Sequence, residues 1–139
     1  MIVLDTNVVS EAMKPRPDEA FLRWTRFTSS DELFVTAITE AEMRYGASRL
    51  PASRNRRKIE EIVDTIFSRR FAGRILSFDS MSAKAFPDII IAMRKQGRTH
   101  KHADAQIAAI ARVHGAAVAT RDRYGFEHSG VPLIDPWDT

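Results

Sequence analysis

The chain has 139 residues, no cysteine, and 21 Lys+Arg against 18 Asp+Glu, a formal net charge of +3. That length suits one ordinary domain, expected to span 1–139, which can bury a core without covalent staples. The absence of cysteine excludes disulfides and thiolate metal sites, and the small positive excess permits a polyanionic partner without requiring one.

The start, Met1-Ile2-Val3-Leu4-Asp5, has neither the basic beginning nor the apolar length of a signal peptide. No apolar run approaches a membrane span. A cytoplasmic protein without membrane attachment is expected.

Residues 1–4 are apolar and β-prone and read as a short buried strand ending at Asp5. Thr6 and Asn7 suit the cap of a short helix through about Met13, which Lys14-Pro15-Arg16-Pro17 breaks. Asp18 caps a second helix, with Phe21, Leu22, Trp24 and Phe27 as its apolar side. Leu33-Phe34-Val35 reads as a second strand. Thr39 opens a third helix to about Tyr45, with Gly46 as its stop.

From Ser53 to Phe71 the pattern is plainly helical, because Ile59, Ile62, Val63, Ile66 and Phe67 recur at helical spacing. Arg74 to Phe78 is a third strand. Asp79 or Ser80 caps a fifth helix ending near Gln96, which Pro87 should kink or divide. A polar loop over 97–103 leads to an alanine-rich sixth helix, 103–114, with Gly115 as its terminal glycine. Ala116 to Ala119 is a fourth strand, and Val131 to Ile134 a fifth, weakened by Pro132. Strands alternating with helices predict a parallel sheet covered on both faces, an α/β fold of three layers, α/β/α.

Four acids stand at element ends. Asp5 closes the first strand, Asp122 follows the fourth, and Glu42 and Asp104 lie near the starts of expected helices. In open parallel sheets, ligands bind beyond the carboxyl ends of the strands. Carboxylates gathered there would repel one another unless a cation neutralised them, and hard oxygen donors suit Mg²⁺ or Mn²⁺. Each acid also has a purely structural explanation. Asp5 suits a helix cap, and Thr39-x-x-Glu42 has the spacing of a capping box. Asp104 suits the positive end of its helix, and Asp122, between Arg121 and Arg123, suits a surface ion pair. Two basic groups, Arg54, Arg56, Arg57 and Lys58, then Arg94, Lys95, Arg98 and Lys101, read as solvated faces or as phosphate contacts.

Six blocks carry a resemblance through their order and spacing. They are residues 2–11 (Ile2 to Glu11), 36–46 (Thr36 to Gly46), 71–79 (Phe71 to Asp79), 103–111 (Ala103 to Ala111), 118–122 (Val118 to Asp122) and the tail 132–137 ending in Trp137. Together they make the whole chain resemble a PIN-domain toxin of the VapC/FitB type, from type II toxin–antitoxin systems. The resemblance implies a PIN-like sandwich and an endoribonuclease dependent on Mg²⁺, with Mn²⁺ as a substitute. It places the family's four acids on Asp5, Glu42, Asp104 and Asp122, as metal ligands and catalytic groups. Thr6, Asn7 and Thr120 match the polar residues that steady the site. The implied partners are an RNA substrate, a second copy of the chain, and a small antitoxin through which the pair binds operator DNA. Arg121 is the preferred candidate for a phosphate contact. Three departures stand out: Ser77 where proline is frequent, Pro87-Asp88 inside a helix, and His100-Lys101-His102 before Asp104.

The favoured chemistry is in-line attack of an activated water, leaving a 3′ hydroxyl and a 5′ phosphate. Alternatives are a metal-free acid–base mechanism using His100, His102, His114 or His128, a DNA-directed nuclease, and a non-catalytic binding module regulated by a partner.

Overall fold

A computed structural model describes residues 1–95, 97 and 99–138. The expected fifth-helix end at Gln96, and Arg98 of the second basic group, lie outside them. Five parallel strands form the central sheet in the order β3-β2-β1-β4-β5. They are β1 (Ile2–Leu4), β2 (Leu33–Thr36), β3 (Ile75–Leu76), β4 (Ala117–Ala119) and β5 (Leu133–Ile134). β1 is central, with Val3 opposite Phe34 on one side and Val118 on the other. The chain builds outward from β1 to β3, then crosses back to place β4 on the other flank. The reversal therefore falls at β1, and its carboxyl end is where a crevice opens.

Period-two alternation explains the layers. Val3 and Val118 face one way, into a core with Ile89, Met93 and the alanines of the sixth helix. Leu4 and Ala119 face the other way, toward Val8, Phe21, Met43, Val63 and Phe67. The first core is covered by α5 (Ser80–Arg94) and α6 (His102–Val113). The second is covered by α1 (Thr6–Ala12), α2 (Glu19–Phe27), α3 (Ala37–Ser48) and α4 (Arg54–Thr65), which runs on into a π-helical turn at Ile66–Arg70. A last short helix, α7, spans Arg123–Phe126. The three-layer α/β/α expectation is met. Among the described residues, no helix is long and apolar enough to cross a membrane.

Several local expectations need correction. Asp5, not Thr6 or Asn7, caps α1. Phe27 is 86% exposed instead of completing the apolar side of α2, because that face turns past the core at the helix end. Gly46 lies inside α3, which continues to Ser48, since packing of Met43 and Ala47 outweighs the roughly 1 kcal/mol helix cost of a glycine. The third strand shrinks to Ile75–Leu76. Pro87 does not divide α5. It is exposed and removes only its own N–H, while Ser82 on one side and Ile89, Ile90 and Met93 on the other stay buried.

Candidate active site

The end of β1 delivers Asp5 into the crevice. Its backbone N–H still donates to Ala119 O (2.9 Å), so the residue is fixed as an extension of the sheet. One carboxylate oxygen, Oδ1, accepts from Thr6 N (2.8 Å). The other, Oδ2, accepts from the Thr120 hydroxyl (2.8 Å) and from Asn7 Nδ2 (3.2 Å). Thr120 Oγ1 in turn accepts from Asp122 N (3.0 Å), and Asn7 Oδ1 accepts from Arg121 N (3.2 Å). Thr6, Asn7 and Thr120 thereby tie the ends of β1 and β4 into one network. Burial raises the Asp5 carboxyl above its ordinary value, with Glu42 and Asp122 adding repulsion against the bonds from Thr120 and Thr6.

Glu42 reaches the same crevice from the second turn of α3. Its expected capping box does not form, because Thr36 is the N-cap and its hydroxyl accepts from Thr39 N (3.1 Å). Helix capping therefore does not account for a glutamate at this position. Its Oε1 accepts instead from the Thr6 hydroxyl (3.1 Å).

Asp104 sits in the first turn of α6. A helix N-terminus alone would lower its pKa. Burial wins, joined by the charges of Asp5 and Asp122, with Lys101 opposing, and the carboxyl is pushed up to about 7. Asp122 is not half of an ion pair among the described residues. It caps α7, where Oδ1 accepts from Gly125 N (2.9 Å).

All four acids line one open cleft of about 470 Å³, with Thr6, Asn7, Lys101, Arg121 and Trp137. None of the four histidines lines it, so the acid–base alternative has no residue in place. His100 is buried and stacked on Tyr124, and His102 packs against Phe86. Phe126 is core, whereas Tyr124 is exposed. Of the basic groups, Arg56 pairs with Glu60 and Arg94 donates to His100 O, and among their described residues only Lys101 lines the cleft. A larger apolar groove of about 830 Å³ lies between α1, α2 and α4, where Val9, Phe21, Trp24 and Ile62 line it.

Among the described residues, no three acidic or histidine side chains are placed to hold an ion between them as they stand. The cleft nevertheless fits a divalent ion in its donors and its shape. The donors are carboxylate oxygens, hard ligands suited to such an ion. A β-carbon on Gly125 would come 2.5 Å from Asp122 Oδ2 and 3.0 Å from Asp104 Oδ2, so the missing side chain leaves both carboxylates free to face one concave spot. Gly125 and Trp137, like Ser10 and Lys14 on the cleft wall, were not marked by the sequence as parts of the site. A glycine three residues after an acid looks like any turn.

The raised Asp104 pKa has a measurable consequence. In the unfolded chain this carboxyl ionises near 3.8, and in the native state near 7. Between those values the native state holds the proton more tightly, so stability falls as pH rises through that window, and the penalty is complete above about 7. Asp104→Asn should therefore stabilise the ion-free protein at pH 8, and the gain should shrink toward pH 5. Solvent screens this part-exposed carboxyl, so the effect should be roughly 1–2 kcal/mol. Thermal melts in EDTA at both pH values check this. An asparagine variant no more stable at pH 8 than at pH 5, relative to the parent, would show that the Asp104 carboxyl is not raised by its surroundings.

The PIN domain family matches residues 2–130. The chain is 39% identical to VapC ribonuclease Y4jK of Sinorhizobium fredii over 138 residues, which covers 99% of each protein. It is 36% identical to Toxin FitB of Neisseria gonorrhoeae over 137 residues, again 99% of each. It also matches a solved structure of FitAB bound to an IR36 DNA fragment, with a TM-score of 0.90 and 36% identity, covering 100% of this chain and 97% of that one.

Proposed function

This chain belongs to the PIN domain family, and from that membership we propose that it is the toxin of a type II toxin–antitoxin pair, an endoribonuclease that hydrolyses RNA phosphodiester bonds with a divalent ion. One observation carries the reading. Asp5, Glu42, Asp104 and Asp122, from four separate elements, line the same cleft at the carboxyl end of β1, and their charges oppose one another there.

The four acids would hold the ion, Mg²⁺ by preference or Mn²⁺. When bound, such an ion acidifies water and neutralises charge that builds on a phosphodiester. The chain's own residues do the rest. Thr120, Asn7 and the Thr6 N–H fix both oxygens of Asp5, so its orientation needs no reorganisation at the moment of reaction. Thr6 steadies Glu42. Asp104, whose carboxyl is pushed up to about 7 by burial and by Asp5 and Asp122, would hold the ion as a carboxylate, so a bound cation would lower that value again. Arg121 and Lys101 supply positive charge at the rim for the RNA backbone.

The whole chain acts as one domain in the cytoplasm and pairs with a second copy. A small antitoxin silences it and carries the pair to operator DNA, as the FitAB–DNA complex suggests for a relative. A DNA substrate is the second reading, because a carboxylate site of this kind does not itself select the sugar.

The test is cleavage of single-stranded RNA, structured RNA and DNA with the products' ends identified. RNA cleavage leaving 5′ phosphates, abolished by EDTA and restored by Mg²⁺ or Mn²⁺, is expected. Activity that survives EDTA, or ends bearing a cyclic phosphate, would overturn the metal scheme.

A further inference from the structure

Three cations line the cleft beside its five acids, the four named above and Glu11: Lys14, Lys101 and Arg121. Lys14 is engaged, since its Nζ lies 2.8 Å from Glu11 Oε1. Arg121 has no carboxylate partner among the described residues, although it shares a cleft with five acids and its own backbone N–H is bonded to Asn7. A long, flexible cation beside unneutralised carboxylates would ordinarily fold onto them, and something must hold it off. The guanidinium lies 4.9 Å above the ring of Trp137.

Trp137 is itself fixed in place. Its ring packs on Phe21 at 5.5 Å, and its backbone N–H donates to Asp135 Oδ1 at 2.9 Å. Yet its indole N–H is buried with no partner among the described residues. An orphaned buried donor is destabilising, and a phenylalanine would fill much of the same space without that cost. What tryptophan has over phenylalanine here is the strongest cation-binding face of any side chain.

We infer that Trp137 is a positioning residue that holds the Arg121 guanidinium away from the four acids and presents it to a phosphate of the bound RNA. Planar guanidinium donors suit phosphate oxygens, and a ring beneath the group leaves its edges free. Without Trp137, Arg121 falls onto the carboxylates, where it competes with the divalent ion and is lost to the substrate. This rests on the ribonuclease reading above.

The experiment measures binding of a fluorescein-labelled single-stranded RNA in EDTA across a salt series, together with kcat and KM with Mg²⁺. The proteins are the parent, Trp137→Leu, Trp137→Phe, Arg121→Ala and the Leu/Ala double variant, each with its melting temperature. Trp137→Leu should weaken RNA binding about five- to tenfold and raise KM more than it lowers kcat. It should also flatten the log–log salt slope by about 0.7, one phosphate contact on a single strand. In the Arg121→Ala background the same change should add nothing. Trp137→Phe should melt no lower than the parent yet bind RNA less tightly, because it removes the orphaned donor and weakens the cation's seat. A merely structural tryptophan would move stability and affinity together. If the parent binds and cleaves RNA but Trp137→Leu changes neither, or its effect persists undiminished without Arg121, the inference fails and the ribonuclease reading stands. If the parent neither binds nor cleaves RNA, both fall.

Discussion

Asp5→Asn should lower RNA cleavage by roughly two to three orders of magnitude while the protein folds as before, the scale of losing one key transition-state contact, about 3–4 kcal/mol. The residue is 6% exposed and every one of its oxygens is engaged, so removing it outright would confuse chemistry with collapse. Asparagine avoids that. Its amide oxygen keeps the bond from Thr6 N and its NH₂ can donate to the Thr120 hydroxyl, which reverses, while the bond from Asn7 Nδ2 is given up because two donors would face each other. Because burial and the neighbouring Glu42 and Asp122 already disfavour the charge on Asp5, neutralising it should not cost stability. The informative outcome is thus a split: an unchanged or higher melting temperature, with activity and divalent-ion uptake both lost. Calorimetric titration with Mg²⁺ supplies the second readout. A variant that cleaves RNA at the parent's rate would remove Asp5, and with it the ion scheme, from the mechanism.

Gly125→Ala should reduce kcat/KM by roughly ten- to a hundredfold without unfolding the chain, since misplacing reacting groups by an ångström is costly. Its φ is not in the left-handed region, so alanine meets no backbone strain, and within α7 it even gains about 1 kcal/mol of helix propensity. The obstacle is local. The new methyl would stand 2.5 Å from Asp122 Oδ2, and that carboxylate cannot swing aside freely because its other oxygen accepts from Gly125 N. Asp104 Oδ2, at 3.0 Å, must also give way. The substitution therefore prises two acids apart and leaves their identities untouched. Steady-state kinetics, the Mg²⁺ dependence of the rate and a thermal melt check it together. Full activity at ordinary Mg²⁺ would mean that the spot between Asp104 and Asp122 is not where the ion sits.

Much of this was legible in the chain as written. The apolar stretch ending at Asp5, the helical spacing from Ile59 to Phe67, and the alternation of strands with helices are local patterns, and local patterns survive in one dimension. So did the candidate acids, because each stands at the end of an element where a parallel sheet places its ligands. The family resemblance narrowed these to four and named a chemistry.

The helix that carries Glu42 shows where local reasoning stops. Thr39-x-x-Glu42 has the right spacing for a cap, but Thr36 takes that place, since the true helix start depends on where β2 ends in the sheet. Gly46 looks like a stop and is not, because buried Met43 and Ala47 hold the turn. Phe27 looks like core and points at solvent.

The sequence by itself determined the fold class and the acids available, and it pointed Asp5, Glu42 and Asp122 to the carboxyl edge of the sheet. Only the tertiary structure decided that strand order 3-2-1-4-5 brings residues 5, 42, 104 and 122 into one cleft, that burial there, with the neighbouring charges added, carries Asp104 to about 7, that Gly125 leaves room between two carboxylates, and that Trp137 lies under Arg121. The reason is physical. Propensity and periodicity depend on neighbours along the chain, whereas repulsion, desolvation and ring–cation attraction depend on distance through space.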